Sequence, residues 1–170
     1  GNNYGYEYGT TFVPGVGYED PPVPYDYATF ADDYLHVVQP DVLQFGVYPF
    51  RDSQTLPTDD YLNVRYYRGL AAVREAGLRA DVPYFVFVQS FDGGDTYHPS
   101  ESEMRMQVFA SLAHGFKGIS YFMFGHYDGG DGGLLGFTDA SESSYTTNSI
   151  YGYARDTNTE VARLGETLKM

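Results

Sequence analysis

The chain has 170 residues, a net charge of -13 and no cysteine, and no apolar run approaches the roughly 20 residues of a membrane span. The acidic balance argues against nucleic acid or an anionic membrane as a partner, because both need clustered Lys and Arg. Disulfides and thiolate metal sites are excluded, whereas a neutral ligand such as a sugar is compatible with this composition.

The first 26 residues are rich in Gly, Tyr and Pro and lack both helical and alternating periodicity. They therefore predict a long loop. From Tyr27 apolar residues recur at helical spacing until Pro40, which cannot continue a helix. Residues 42–49 then predict a strand, and the helix that follows is expected to use Gly77 as its C-cap.

The second half repeats the alternation of strand and helix. Residues 84–91 are apolar on both faces, which is typical of a parallel strand buried on both sides. Ser100 and Glu103 form a predicted capping box at the start of the next helix. A third strand is predicted at 118–124, and a Gly/Asp/Ser-rich loop at 125–148 leads to the last of four helices.

Strands that alternate with helices predict parallel βαβ units in an α/β fold. Residues 27–170 are therefore interpreted as a partial (β/α) barrel, because three strands cannot close a barrel that normally has eight. The barrel is incomplete in this chain, so we expect missing upstream residues, further copies or another chain to complete it. A small open three-layer α/β sheet is the alternative architecture.

Four segments carry a resemblance to a known family. They read PDVLQFGVYPF at 40–50, VPYFVFVQSF at 82–91, PSESEMRMQVFASLAHGFKGISYFMFG at 99–125 and IYGYARDTNTEVARLGETL at 150–168. In this order they resemble the closing segments of β-galactosidase-like (β/α)₈-barrel glycoside hydrolases. The resemblance implies that the three strands are the sixth to eighth of a TIM barrel, and that the fourth strand with its acid/base Glu lies outside this chain.

The same resemblance identifies position 89 with the nucleophile at the end of the seventh strand. Gln89 stands there, and an amide cannot supply the charge that a glycosyl-enzyme intermediate needs. Glycoside hydrolysis usually requires two flanking carboxyls. Asp92 is the best replacement acid, although an Asp beside Gly is ordinary turn chemistry. Gln89 is expected either to bond to sugar hydroxyls or to serve the structure.

Further candidates come from the C-terminal ends of the strands, where barrel active sites lie. Aromatic residues there would stack on or line a sugar site, with core or rim packing as the alternative, and the histidines would bond to hydroxyls. The predicted substrate-binding residues are Tyr48, Gln89, Phe91, His98, Tyr121, Phe124 and His126. Gly46 and Val47 replace an Asp and a His of the family pattern, which favours altered or absent activity.

The sequence thus predicts a glycoside hydrolase-like barrel that acts on or binds a neutral glycan, with a galactoside as the substrate that the resemblance implies. The alternative is a non-catalytic carbohydrate-binding protein, or a structural or assembly protein on the same partial barrel. No cofactor and no metal site are expected. The compartment stays open, with an extracellular or cell-surface location favoured.

Overall fold

The computed structural model describes residues 11–13, 17–19, 27–51, 62–93, 96–126, 132–137 and 144–165. Within these residues the protein is a mixed α/β structure with a three-stranded parallel sheet and helices, as predicted. The elements in chain order are β1 (Thr11–Val13), β2 (Gly17–Glu19), α1 (Tyr27–Val38), β3 (Leu43–Gly46), a π-helical segment (Leu62–Tyr67), α2 (Arg68–Ala80), β4 (Tyr84–Gln89), α3 (Glu101–Ala113), β5 (Gly118–Phe122), β6 (Gly125–His126), β7 (Leu135–Phe137), β8 (Tyr145–Thr147) and α4 (Ser149–Gly165).

The main sheet has the strand order β3-β4-β5. β3 and β4 pair in parallel, with Leu43 opposite Tyr84 and Gly46 opposite Phe87. Helices α2 and α3 occupy the two connections between these strands, as parallel pairing requires. The strands lie within the predicted ranges 42–49, 84–91 and 118–124, and each ends a few residues earlier than predicted.

The ends of the first two helices have separate causes. Gln39 adopts a positive φ of 51° directly after α1, and Pro40 then prevents any continuation. The prediction that Gly77 caps α2 is wrong, because the helix runs on to Ala80 and Asp81 takes the left-handed conformation. Gly77 is instead a packing glycine: a Cβ there would lie 2.5 Å from the Tyr84 ring.

The predicted capping box of α3 is confirmed. The Ser100 backbone N–H donates to Glu103 Oε2 at 2.8 Å, and the Glu103 N–H donates to Ser100 Oγ at 3.4 Å. Two of the unsatisfied donors at the helix start are thereby paired. At the other end Gly115 has φ 82° and admits the Tyr84 hydroxyl, which donates to the His114 carbonyl at 3.2 Å.

The chain forms two compact units, which are described separately. The first comprises Gly1–Pro49, Leu56–Phe87 and His114–Ile119. Its core includes the rings of Tyr84 and Phe116, which meet edge to face with centroids 4.9 Å apart. Such edge-to-face pairs are a favourable aromatic geometry. Helices α1 and α2 also pack together in this unit, with an exposed ion pair between Asp32 and Arg79.

The second unit comprises Phe50–Thr55, Val88–Ala113 and Ser120–Met170. Its helices α3 and α4 pack together, with Met104, Val108, Ile150 and Ala154 among their buried side chains. Arg105 spans the two helices and donates to both carboxylate oxygens of Glu160, at 2.5 and 2.8 Å. This two-point geometry fixes the orientation of the pair.

Two predicted loops contain short strands. β1 and β2 form an antiparallel pair inside the segment 1–26. In the predicted loop 125–148, β6 pairs in parallel with β7, which pairs in antiparallel fashion with β8. No helix in the described ranges is both long and apolar enough to cross a membrane.

Candidate functional site

The candidate site lies in the second unit, where β4 and β5 end. β4 finishes at Gln89 and β5 at Phe122. In parallel α/β sheets, ligands bind beyond the carboxyl ends of the strands. The segments that follow these two strands are tied together, because the Ser90 N–H donates to the Phe122 carbonyl at 2.8 Å and Ser90 Oγ donates to the Met123 carbonyl at 3.2 Å.

Gln89 is fully buried, and its side-chain amide is occupied by the backbone. Its Oε1 accepts the Phe50 N–H at 3.0 Å. Its Nε2 donates to the carbonyls of Phe50 and Tyr97, both at 3.0 Å. These bonds use both amide hydrogens and one acceptor position, and a side chain with no exposed surface cannot meet a sugar hydroxyl. Of the two roles predicted for Gln89, the structure favours the structural one.

Gln107 is a second buried amide that the sequence analysis did not identify. Its Oε1 accepts the Gln89 N–H at 2.8 Å, and its Nε2 donates to the Gln89 carbonyl at 3.1 Å. The signal was available, since Gln107 lies three residues after Met104 and shares the buried face of α3 with it. A polar residue inside an apolar helical stripe indicates a buried hydrogen-bonding partner.

Asp92 and His98 are brought together. Asp92 Oδ1 lies 3.6 Å from His98 Nε2, and the two side chains are 43% and 28% exposed. At this distance the contact is an ion pair when the imidazole is protonated but is too long for a hydrogen bond. Nε2 itself is shielded from solvent and has no hydrogen-bond partner among the described residues. Asp92 is therefore the more accessible member of the pair.

Two aromatic rings meet where β4 and β5 end. The ring of Phe91, the residue before Asp92, meets the ring of Phe122 edge to face at 5.5 Å. Phe122 is 38% exposed and Phe124 60% exposed. The sequence analysis named Tyr121 and missed Phe122. Side chains alternate along a strand, so these two neighbours lie on opposite faces of β5. Exposed rings at a strand end provide apolar surface to a ligand.

Tyr121, predicted to line the site, contacts the last helix. Its hydroxyl donates to Asn158 Oδ1 on α4 at 2.7 Å. Burial raises the pKa of Tyr121 to about 12, although the bond to Asn158 opposes that shift. The side chain therefore links β5 to α4, and its role in lining a sugar site stays a prediction.

Tyr48 belongs to the first unit, and burial raises its pKa to about 12 as well. Its hydroxyl lies 3.2 Å from the position that a Cβ on Gly46 would occupy. The ring thus fills the space left by the missing side chain, which explains the glycine at that position in physical terms. His126 lies in β6, paired with Gly136, and its side chain falls outside the described part of the structure.

No protein-family model, no curated protein and no solved structure matches this chain. Across the described ranges, no cluster of three or more His, Asp or Glu side chains has the geometry of a metal site.

Proposed function

We propose that the surface formed by Phe91, Asp92, Phe122 and Phe124 binds a neutral glycan. The observation that carries this proposal is the exposed Phe122 ring, which meets the ring of Phe91 edge to face, together with the 43% exposed carboxylate of Asp92, the residue after Phe91. An aromatic face covers the apolar C–H face of a sugar ring, and a carboxylate accepts hydrogen bonds from hydroxyls. Apolar rings with a few placed polar groups are typical of ligand sites.

The sheet is proposed to be the part of a (β/α)₈ barrel that holds its sixth to eighth strands. The parallel pairing of β3 with β4 and the helices in both connections support this architecture. The resemblance to β-galactosidase-like hydrolases supports the same strand numbers. It also supports a galactoside as the ligand, and the net charge of -13 favours a neutral ligand over an anionic one.

The number of carboxylates near the site favours binding without hydrolysis over catalysis. Among the described residues that directly follow β4 and β5, at 90–93, 96–98 and 123–124, Asp92 is the only carboxylate. Glycosidases usually require a second carboxyl about 5 to 10 Å away. Gln89 cannot provide it, because its amide is uncharged and buried.

The proposal is tested by calorimetric titration with lactose. We expect Phe124→Ala to weaken binding by about tenfold, since an exposed stacking ring contributes on the order of 1 kcal/mol or more. The matched control is Leu164→Ala, which truncates a 43% exposed apolar residue near the end of α4. Equal affinity in both variants and the wild type would contradict the site. Turnover of aryl galactosides that Asp92→Asn abolishes would show that the protein is an enzyme.

A role in assembly is the second candidate, and the position of β5 favours it. β5 is an outer strand of the described sheet, and its residues are half-buried up to Phe122, which is exposed. Parallel strands are normally covered on both faces. We propose a second copy of the chain as the partner. Sedimentation at micromolar concentration should then give a species larger than 19.0 kDa, and a clean monomer at all concentrations would exclude this role.

A further inference from the structure

We infer that Gln89 and Gln107 are positioning residues of the glycan site, which act by holding Asp92 and His98 at their observed separation. This inference rests on the proposed function for its biological meaning. Its physical content is a chain of two side-chain amides that runs from α3 through the end of β4 to the segment before His98.

The first amide is that of Gln107. It accepts the N–H of Gln89 at 2.8 Å and donates to the carbonyl of the same residue at 3.1 Å. A backbone residue of a neighbouring strand makes the same pair of contacts in a β-ladder. Gln107 therefore fixes the last residue of β4 from the helix, at the point where the strand stops.

The second amide is that of Gln89 itself, which bonds to the backbone of Phe50 in the same two-point way. It accepts the Phe50 N–H and donates to the Phe50 carbonyl, each at 3.0 Å. Its remaining hydrogen bonds to the Tyr97 carbonyl at 3.0 Å, one residue before His98. Gln89 is also three residues before Asp92, so its side chain links the two ends of the segment that carries the pair. The Tyr97 N–H adds a bond to the Phe50 carbonyl at 3.4 Å.

Local bonds close the middle of that segment. Gly93 and Thr96 exchange backbone hydrogen bonds of 3.3 and 3.2 Å, and Thr96 Oγ1 donates to the Gly93 carbonyl at 2.8 Å. The Tyr97 hydroxyl donates to Glu103 Oε1 at 2.9 Å. These bonds hold Gly93 to Thr96, and the amide of Gln89 holds the flanking residues, so the separation of Asp92 and His98 depends on both sets of bonds.

Only an amide satisfies these contacts. Methionine has similar length but takes the acceptor away from the Phe50 N–H and one donor each from the Phe50 and Tyr97 carbonyls. Glutamate places an oxygen against two carbonyl oxygens in a buried position. Gln89→Met and Gln107→Met therefore distinguish the effect of the hydrogen bonds from that of side-chain volume, because each keeps the volume and removes the bonds.

The first measurement needs no ligand. Asp92→Asn is expected to shift the His98 imidazole resonances in the NMR spectrum of the wild-type protein, because the groups are 3.6 Å apart. The shift should disappear when Asp92→Asn is introduced into the Gln89→Met or Gln107→Met protein. It should persist in Val73→Ala, a buried truncation in the first unit that lowers stability without touching the amides. A shift of wild-type size in the methionine variants would overturn the inference.

The second measurement uses the intact wild-type protein and therefore survives a failure of the variants to fold. The two Nε2 hydrogens of Gln89 should exchange slowly with solvent deuterium, because the side chain is buried and both hydrogens are held by carbonyls. Exchange as fast as that of the exposed Gln39 side chain would contradict the positioning role. Lactose titration completes the test: Gln89→Met should bind about tenfold more weakly than Val73→Ala. If the wild type itself fails to bind lactose while both NMR results hold, the proposed function fails and the positioning of the pair stands.

Discussion

The case of Gln89 shows that the position of a residue along a strand does not predict what its side chain bonds to. The residue stands at the end of β4, where a ligand-binding role was one of two expectations, and its amide is turned to the backbone of Phe50 and Tyr97. The residue alone cannot reveal this from sequence, because its closest partners, Phe50 and Tyr97, lie 39 and 8 residues away. What the sequence does carry is the amide itself, which is the only neutral side chain of this size that both donates and accepts.

Replacement of Gln89 by Glu should destabilise the protein strongly. A carboxylate there would be buried and would face the carbonyls of Phe50 and Tyr97, which should cost about 3 kcal/mol or more at neutral pH. The pKa of the introduced Glu would be raised in the folded state, so the loss should grow as pH rises. Urea unfolding at pH 5 and pH 8 measures it. Gln39→Glu adds the same charge at an exposed position and should have little effect at either pH.

Tyr121 gives a pH dependence at the alkaline end. Its folded-state pKa of about 12 lies above the ordinary value of 10, with burial as the main cause. The neutral form is therefore favoured by folding: its contribution is fully present below pH 10 and is lost as pH rises from 10 towards 12. At pH 11 the loss amounts to about 1 kcal/mol.

The measurement compares the wild type with Tyr121→Phe by urea unfolding. At pH 8 the variant should be less stable by about 1 kcal/mol, because it lacks the bond to Asn158. At pH 11 that difference should shrink, since Phe cannot ionise. A difference that stays constant between pH 8 and pH 11 would show that burial does not govern the ionisation of this hydroxyl.

Among the elements, α4 depends on a cap that also holds a loop. Asn148 Oδ1 accepts the Tyr151 N–H at 3.3 Å at the helix start, and Asn148 Nδ2 donates to the Gly133 carbonyl. Asn148→Ala should therefore cost about 1 to 2 kcal/mol, at the upper end of N-cap losses. Thermal unfolding followed by circular dichroism measures this. Ser149→Ala, one residue on, is the control and should change the midpoint little.

Helices and main strands were predictable because their signals are local. The capping box at Ser100 and the doubly apolar run that becomes β4 each specify their element within a few residues. The short strands β6 to β8 were read as loop, since strands of two or three residues show no alternation and exist only through their neighbours. Gly77 was misassigned for a related reason: only the contact with Tyr84, distant from the helix, explains it.

The same limit applies to the candidate site. Asp92, His98, Phe91 and Phe124 were identified from their places after strands, which topology alone determines. The contact between Tyr121 and Asn158 depends on which face of β5 meets α4. Gln107 was missed because helix periodicity was used only to find apolar residues. In both cases the sequence does not show which residue is the hydrogen-bond partner, because that is determined by tertiary contacts.

For the molecule as a whole, the acidic excess has a measurable consequence. With 23 acidic and 10 basic residues, the folded state concentrates like charges and is weakened by their repulsion. Raising the salt from 0.01 M to 0.15 M shortens the Debye length from about 30 Å to about 8 Å. The melting temperature should therefore rise over this range. A melting temperature that falls would instead indicate that favourable ion pairs such as Arg105–Glu160 dominate.

Gly46 and Tyr48 constrain the mutational history of the chain. A Cβ at position 46 would lie 3.2 Å from the Tyr48 hydroxyl and 3.3 Å from Phe87 Cβ. Such contacts are tighter than a close-packed interior normally allows. An acidic residue at 46 therefore requires the Tyr48 hydroxyl to give way by a few tenths of an ångström, so it should be tolerated better after Tyr48 has been replaced by a smaller residue. The contact with Phe87 Cβ would remain, so the site continues to favour glycine.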